Sequence, residues 1–382
     1  MKRLLNRAIL ERIAAGGEKF SVRKVSSSPP LHTSFYNMGR QRFSLEDKNG
    51  SRASDAESFA RRVGNFYTLE EKEKDVFVTP NLSTVRGAAV HAAYGGLIFS
   101  QALCAAEKTV EERFKPHATH SFFILNVDTR IPCEYHVRRL RDGKSFCTRT
   151  VEAIQNGKVA FCLQVSFHVN EPDSVVHEAK MPDVPPPEEC VTNRDFAIFT
   201  LEKVAAGEVT VTEMQRKRLE FQANYDPDGD LFEIEYENFD SDGGLFEIRC
   251  VAPDTHLGFS EPSTSRTVCF WMKTQFPVPS CSERLHRYLL AFTSDSVLAG
   301  SAYLPHLIND FSFSMLFSLD HCVWFHEPIV KSDDWMLYEC RSDKARGSRG
   351  FTEGRMWSRD GRVIMTATQE ALVRSKGSVS KI

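Results

Sequence analysis

The chain has no C-x-x-C pair among its ten cysteines, no G-x-G-x-x-G or P-loop, and no G-x-S-x-G elbow. The first absence removes a zinc ribbon and a dithiol redox centre, so the cysteines read as reduced, packed thiols. The second removes nucleotide-cofactor chemistry. The third argues against a serine hydrolase of the α/β type, since Gly347-Ser-Arg-Gly350 is one residue too short for the elbow. The most apolar window, Gly87 to Ala106, holds His91, Ser100 and Gln101, and reads as a buried helix and not a membrane span. His117-x-x-His120 and His321 with His326 give too few ligands for a metal. A net charge of -3 over 382 residues gives no reason to expect nucleic acid. Any catalysis therefore uses ordinary polar side chains.

Phe is abundant, at 28 copies, and fills a core or lines a pocket for a long apolar ligand. The length suits two domains. Residues 1–60 read as an N-terminal extension whose basic, serine-containing first part resembles a mitochondrial presequence. Ser380-Lys381-Ile382 differs only at its last position from the S-K-L address read by a peroxisomal import receptor, so the two ends point to different compartments.

A first domain is expected over 61–172, with the solvated run Leu69-Glu-Glu-Lys-Glu-Lys-Asp75 near its start. It holds the small-residue helix from Gly95 and then strands at 120–127, 134–140, 146–154 and 159–169. Asp142-Gly143 and Asn156-Gly157 predict type I′ hairpins. Phe161, Leu163, Val165, Phe167 and Val169 alternate with polar residues or cysteine, which gives the last strand one buried face. Residues 173–242 read as a linker that begins with the stiff Asp183-Val-Pro-Pro-Pro-Glu-Glu189 and carries an acidic insertion. Asp226, Asp228, Asp230 and Glu237 match positions 1, 3, 5 and 12 of a calcium loop, but Leu231 stands where that loop needs Gly. Residues 243–376 then repeat the order helix, strands and a D-G hairpin at Asp360-Gly361, which argues for duplication. A tail spans 377–382. Ser280-Cys-Ser-Glu283 is a capping box for the second helix.

Continuing the stripe of Tyr288 and Phe292 lands on Asp295. A carboxylate there faces the sheet, and burial would raise its pKa toward that of a general base. Equally, Ser294-Asp295-Ser296 reads as a polar break that ends the helix.

Several runs, in order over about residues 65 to 376, resemble the type II acyl-CoA thioesterases. They are Gly95-Gly96 to Gln101-Ala102-Leu103, Leu140-Arg-Asp-Gly-Lys-Ser-Phe-Cys-Thr-Arg149, Ile154-Gln-Asn-Gly157, Ser294-Asp295 and Leu304-Pro-His306. Ser318-Leu-Asp-His321, Trp324-Phe-His326, Ser348-Arg-Gly-Phe351 and Gln369-Glu370 complete the set. The resemblance implies an α+β tandem (double) hot-dog fold, with two antiparallel sheets each wrapped around a long central helix. It implies hydrolysis of acyl-CoA to fatty acid and CoA, with Asp295, Ser318 and Gln369 activating a water. It also implies substrate contact at Gly95 and Gly96, no metal or organic cofactor, and a homo-oligomer. Asp320 and His321 are read as support within their motif. The chain departs from the family at Leu97, where Gln is usual after the Gly pair, and at Val127-Asp128, where Gly-Asp is usual. Two other readings remain: a non-catalytic acyl-CoA binder, and a hot-dog dehydratase or hydratase using His321.

Overall fold

The computed structural model describes residues 49–82, 91–224, 244–259, 267–278 and 282–375. The candidate calcium loop and both candidate addresses lie outside them. The first half comprises α1 (Asn49–Phe66), β1 (Glu70–Glu73), β2 (Val76–Thr79), α2 (Gly95–Glu107), β3 (Phe114–Phe123), β4 (Cys133–Asp142), β5 (Phe146–Gln155) and β6 (Lys158–Val169). Two helices follow, α3 (Asn193–Ala205) and α4 (Glu213–Asn224). The second half is β7 (Phe246–Cys250), α5 (Pro253–His256), β8 (Thr267–Thr274), α6 (Glu283–Thr293), β9 (Phe313–Ser318), β10 (Asp320–Phe325), β11 (Met336–Arg346), β12 (Arg349–Ser358) and β13 (Val363–Ser375).

The two expected sheets are one. Strands run in the order β1-β2-β4-β5-β6-β3-β10-β13-β12-β11-β8-β7, with β9 also on β13. The halves join where β3 pairs antiparallel with β10, from Asp320 opposite Phe122 to Trp324 opposite Ala118. Each strand would otherwise be an exposed edge, and pairing them satisfies both rows of backbone groups. Side chains add to the seam: Thr119 Oγ1 donates to the Val323 carbonyl at 2.9 Å and Ser121 Oγ to that of His321 at 2.7 Å.

From Gly96 to Glu107 every residue of α2 is buried, as its small and apolar composition requires. It lies antiparallel to α6. Gly96 permits the approach, because a Cβ there would stand 2.3 Å from the Phe292 carbonyl oxygen. Tyr94 donates its hydroxyl to the same oxygen at 3.0 Å. At the far end Arg287 and Glu107, both essentially inaccessible, form a 3.0 Å ion pair between the helices.

Three boundary readings change. Phe59, Val63 and Phe66 sit on one face of α1 and enter the core, so ordered structure precedes Arg61. The charged run before Asp75 forms strand β1, exposed along its length and held by pairing with β2. The 173–242 linker is neither bare nor patternless. Met181, Val184 and Cys190 pack on a cluster of Trp271, Trp335, Leu337 and Trp357, and Trp271 donates to the Pro185 carbonyl at 2.8 Å. Phe196 and Ala197 of α3 and Leu219 of α4 form a small core with Leu257 and Phe259. Arg218 fastens that pair by donating to the Leu257 and Leu307 carbonyls at 2.7 and 2.8 Å.

Of the predicted hairpins, only Asn156-Gly157 has both residues at positive φ (50° and 70°). At Asp360-Gly361 only the glycine does, and at Asp142-Gly143 neither. Instead Gly347-Ser348, examined in the sequence only as a failed elbow, makes the β11–β12 turn with both φ positive.

Candidate active site

Ser282, not Ser280, caps α6, its hydroxyl accepting from the Leu285 amide at 3.2 Å. The helix ends at Thr293 with Ser294 as its C-cap, so Asp295 leaves the helical stripe and sits in the turn beyond. Of the two sequence readings, the polar break describes the backbone, yet the carboxylate is still buried, at 8% exposure. It lies at the N-terminus of α2, where a Cβ on Gly95 would be 2.8 Å from its Oδ2 and 3.0 Å from the Phe123 ring.

Ser318 closes β9 and Gln369 lies inside β13. Between β9 and β10, Leu319 keeps one backbone bond to β13, to the Glu370 carbonyl at 2.8 Å. Asp320 supplies the other with its side chain, Oδ1 accepting from the Glu370 amide at 2.6 Å. Asp320 is thus a stitch in the ladder. Gln369 Nε2 donates to Asp295 Oδ1 and to Ser318 Oγ, both at 2.6 Å, and Ser318 Oγ donates to the same carboxylate oxygen at 3.3 Å. The three residues expected from the resemblance therefore converge, from a turn and two strands far apart in sequence.

The chemistry follows from what is occupied. Oδ1 of Asp295 accepts twice, whereas Oδ2 accepts no hydrogen bond among the described residues and faces the space that Gly95 leaves open. Tyr94, the N-cap of α2, gives no side-chain cap, and the first amides of any helix lack intrahelical acceptors. Such a terminus carries partial positive charge, which favours an oxyanion formed beside it. Gln369 Oε1 is buried and has no partner among the described residues. A carboxylate with one free oxygen, polar donors and a helix N-terminus can hold and deprotonate a water.

Other candidates fall away from this point. Gly96 is buried with its open face against the Phe292 carbonyl, whereas the open face of Gly95 is toward the carboxylate. His321 is fully buried, with Nε2 2.8 Å from Ser294 Oγ, and cannot touch a substrate as a dehydratase histidine would. His117 and His326 bond Ser166 and Thr366. No cluster of potential metal ligands occurs among the described residues. Burial pushes the Cys104 thiol up to about 12, in keeping with a packed, unreactive cysteine. Phe123, which flanks Gly95, was missed in the sequence because it lies in an uninterrupted aromatic and aliphatic run.

The first half has the same place in its fold and fills it differently. Thr109 stands two residues past the end of α2, as Asp295 stands two past α6. Val159 and Val363 open equivalent ladders, and six residues on, Val165 takes the place of Gln369. Arg149, opposite Val165, is buried and spends its donors on Thr109 Oγ1 (2.8 Å), the Thr109 carbonyl (3.1 Å), the carbonyls of Arg141 and Thr148, and Asp142. Nothing there can serve as a free base.

The chain resembles known proteins along most of its length. The family model described as the acyl-CoA thioesterase N-terminal domain matches residues 85–168, and that of the C-terminal domain matches 228–373. Acyl-coenzyme A thioesterase 8 of Mus musculus is 34% identical over 298 residues, covering 75% of this chain and 82% of its own. Peroxisomal acyl-coenzyme A thioester hydrolase 1 of Saccharomyces cerevisiae is 25% identical over 300 residues, covering 73% and 85%. The crystal structure of an acyl-CoA thioesterase II from Mycobacterium marinum superposes with a TM-score of 0.60 at 26% identity, over 82% of this chain and 99% of that one.

Proposed function

The chain belongs to the acyl-CoA thioesterase family and hydrolyses acyl-CoA thioesters, and on that premise we propose that Asp295, Ser318 and Gln369 perform the reaction. The observation that carries this is the convergence of Gln369 Nε2 and Ser318 Oγ on Oδ1 of Asp295, which leaves Oδ2 open. A water held by Oδ2 gives up a proton as it attacks the thioester carbonyl. The oxyanion of the tetrahedral intermediate lies toward the N-terminus of α2, where Gly95 allows close approach. Collapse expels the CoA thiolate, which takes the proton from Asp295, leaving a fatty acid and free CoA. Positioning of the water by fixed groups supplies much of the rate.

Asp295→Asn keeps the size and the hydrogen bond from Gln369 but removes the base. We expect kcat to fall about 10²- to 10⁴-fold in a thiol-release assay across an acyl chain-length series. Undiminished hydrolysis would sink the assignment. A protein that binds acyl-CoA tightly and releases no thiol would instead be a binder that kept the fold.

The same proposal includes a peroxisomal location, self-association and contact with an import receptor. The yeast relative, a peroxisomal thioester hydrolase by name, supports the first. Exposed Phe122, Phe317 and Phe351 on the sheet support the second. Ser380-Lys381-Ile382 supports the third, and a fusion hiding those residues should redirect the protein.

A further inference from the structure

We infer that His321 is a positioning residue for Asp295, acting through Ser294, and that Tyr338 completes the same clamp. The inference rests on Asp295 being the base.

Ser294 is the residue immediately before Asp295 and is held at four points. Its amide donates to the Leu290 carbonyl at 3.0 Å and its hydroxyl to the Ala291 carbonyl at 2.8 Å. Its own carbonyl accepts from the Tyr338 hydroxyl at 2.7 Å, and its Oγ lies 2.8 Å from His321 Nε2. Because the one hydroxyl proton goes to Ala291, the imidazole must donate, so Nε2 carries the proton and Nδ1 is bare. Burial depresses the pKa of His321, against the opposing pull of Asp295 and Asp320, and keeps this neutral donor form. Among the described residues Nδ1 has no partner, a cost that an apolar residue in the same space would not carry. Retaining an imidazole there makes sense if the Nε2 donor matters.

Each clamp residue is itself fixed. The His321 carbonyl accepts from Ser121 Oγ at 2.7 Å, and its ring meets Phe99 edge-on at 5.0 Å. Tyr338 lies over Gly354, where a Cβ would stand 2.5 Å from the phenol. Ser318 and His321 are three residues apart and approach Asp295 from two sides, one at its carboxylate and the other at the side chain of the preceding Ser294. The Ser-Leu-Asp-His segment thus contributes a site residue, a ladder stitch and a clamp.

The test compares kcat, KM and thermal midpoint for wild type, Asp295→Asn, His321→Leu, His321→Gln and Tyr338→Phe on one acyl-CoA. Gln can place an amide donor near the Nε2 position, whereas Leu fills the space without one. His321→Leu and Tyr338→Phe should lower kcat roughly 10- to 100-fold with KM changed less than about twofold, and His321→Gln should recover most of kcat. Equal loss in Leu and Gln, or a loss confined to KM, would overturn the inference. Should His321→Leu not fold, Tyr338→Phe removes a single oxygen and reads the same clamp. Full kcat in Tyr338→Phe with an inactive Asp295→Asn refutes the clamp alone, while an active Asp295→Asn refutes the assignment of the base.

Discussion

Replacing Gly95 with alanine adds one methyl group and should slow the enzyme about 10-fold without unfolding it. The new carbon would lie 2.8 Å from Asp295 Oδ2 and 3.0 Å from the Phe123 ring. Carbon atoms in contact prefer about 3.5 Å or more, so the overlap is roughly half an ångström. Phe123 packs against Phe161, with centroids 5.1 Å apart, which limits its retreat. The carboxylate can swing, but only by pulling Oδ1 away from Gln369 and Ser318. A misplacement of about 1 Å at a reacting group costs about 100-fold, so half of that predicts a loss in kcat of about 10-fold, and more if the methyl also displaces the water. Stability should move little, because alanine favours a helix over glycine by up to about 1 kcal/mol, offsetting part of the clash. The assay is thiol release beside a melting curve. Wild-type kcat would refute the geometry, and lost activity with a collapsed melting point would place the damage in the fold.

Two further predictions concern the frame. Arg287→Met takes away the cation that Glu107 pairs with between the helices, where both side chains are inaccessible, and should cost about 3–5 kcal/mol in urea unfolding. Adding Glu107→Leu should restore most of it. Burial holds His256 down to about 3 from its usual 6.5, so between those values the unfolded chain binds the extra proton. Stability present above pH 6.5 is therefore lost as pH falls, at about 1.4 kcal/mol per unit for this group. Urea titrations from pH 7 to 5 should show that slope and a shallower one in His256→Leu, whereas stability that rose on acidification would refute it.

Much of the architecture was legible because its signals are local. The unbroken run of small and apolar residues after Gly95 specifies a helix wrapped on all sides, and the alternation from Phe161 to Val169 specifies a one-faced strand. Fusion of the two sheets was not legible, since β3 and β10 carry no mark that names their partner and pairing is set by shape at long range. The linker misled for a different reason. Met181, Val184 and Trp271 meet only in three dimensions, so the segment around Pro185 looks solvated when read alone. At the site, spacing led toward Asp295 by assuming a longer helix, and it could not supply Ser318 or Gln369. Those came from the resemblance, which also marked Gly95 and Ser294 without showing that Gly95 faces Oδ2 or that Ser294 is held by His321 and Tyr338.

The antiparallel helices explain why a duplicated fold carries one site. The N-terminus of α2 comes from the first half and meets Asp295, Ser318 and Gln369 from the second, so the site is shared between halves. The reciprocal place pairs the N-terminus of α6 with the first half. There Glu283 is tied to Lys115 at 3.0 Å, next to Pro116, whose partner Phe167 lies two residues past Val165 as Ala371 lies two past Gln369. Pro116 thus stands where Ser318 would, and Thr109 with Arg149 stands where the base would. A proline, a threonine and an arginine with its donors taken up cannot activate a water. The buried guanidinium instead ties α2's end to the hairpin of β4 and β5. Each half holds only part of the proposed site, whose residues are brought together by the same β3–β10 seam and helix contact that join the halves.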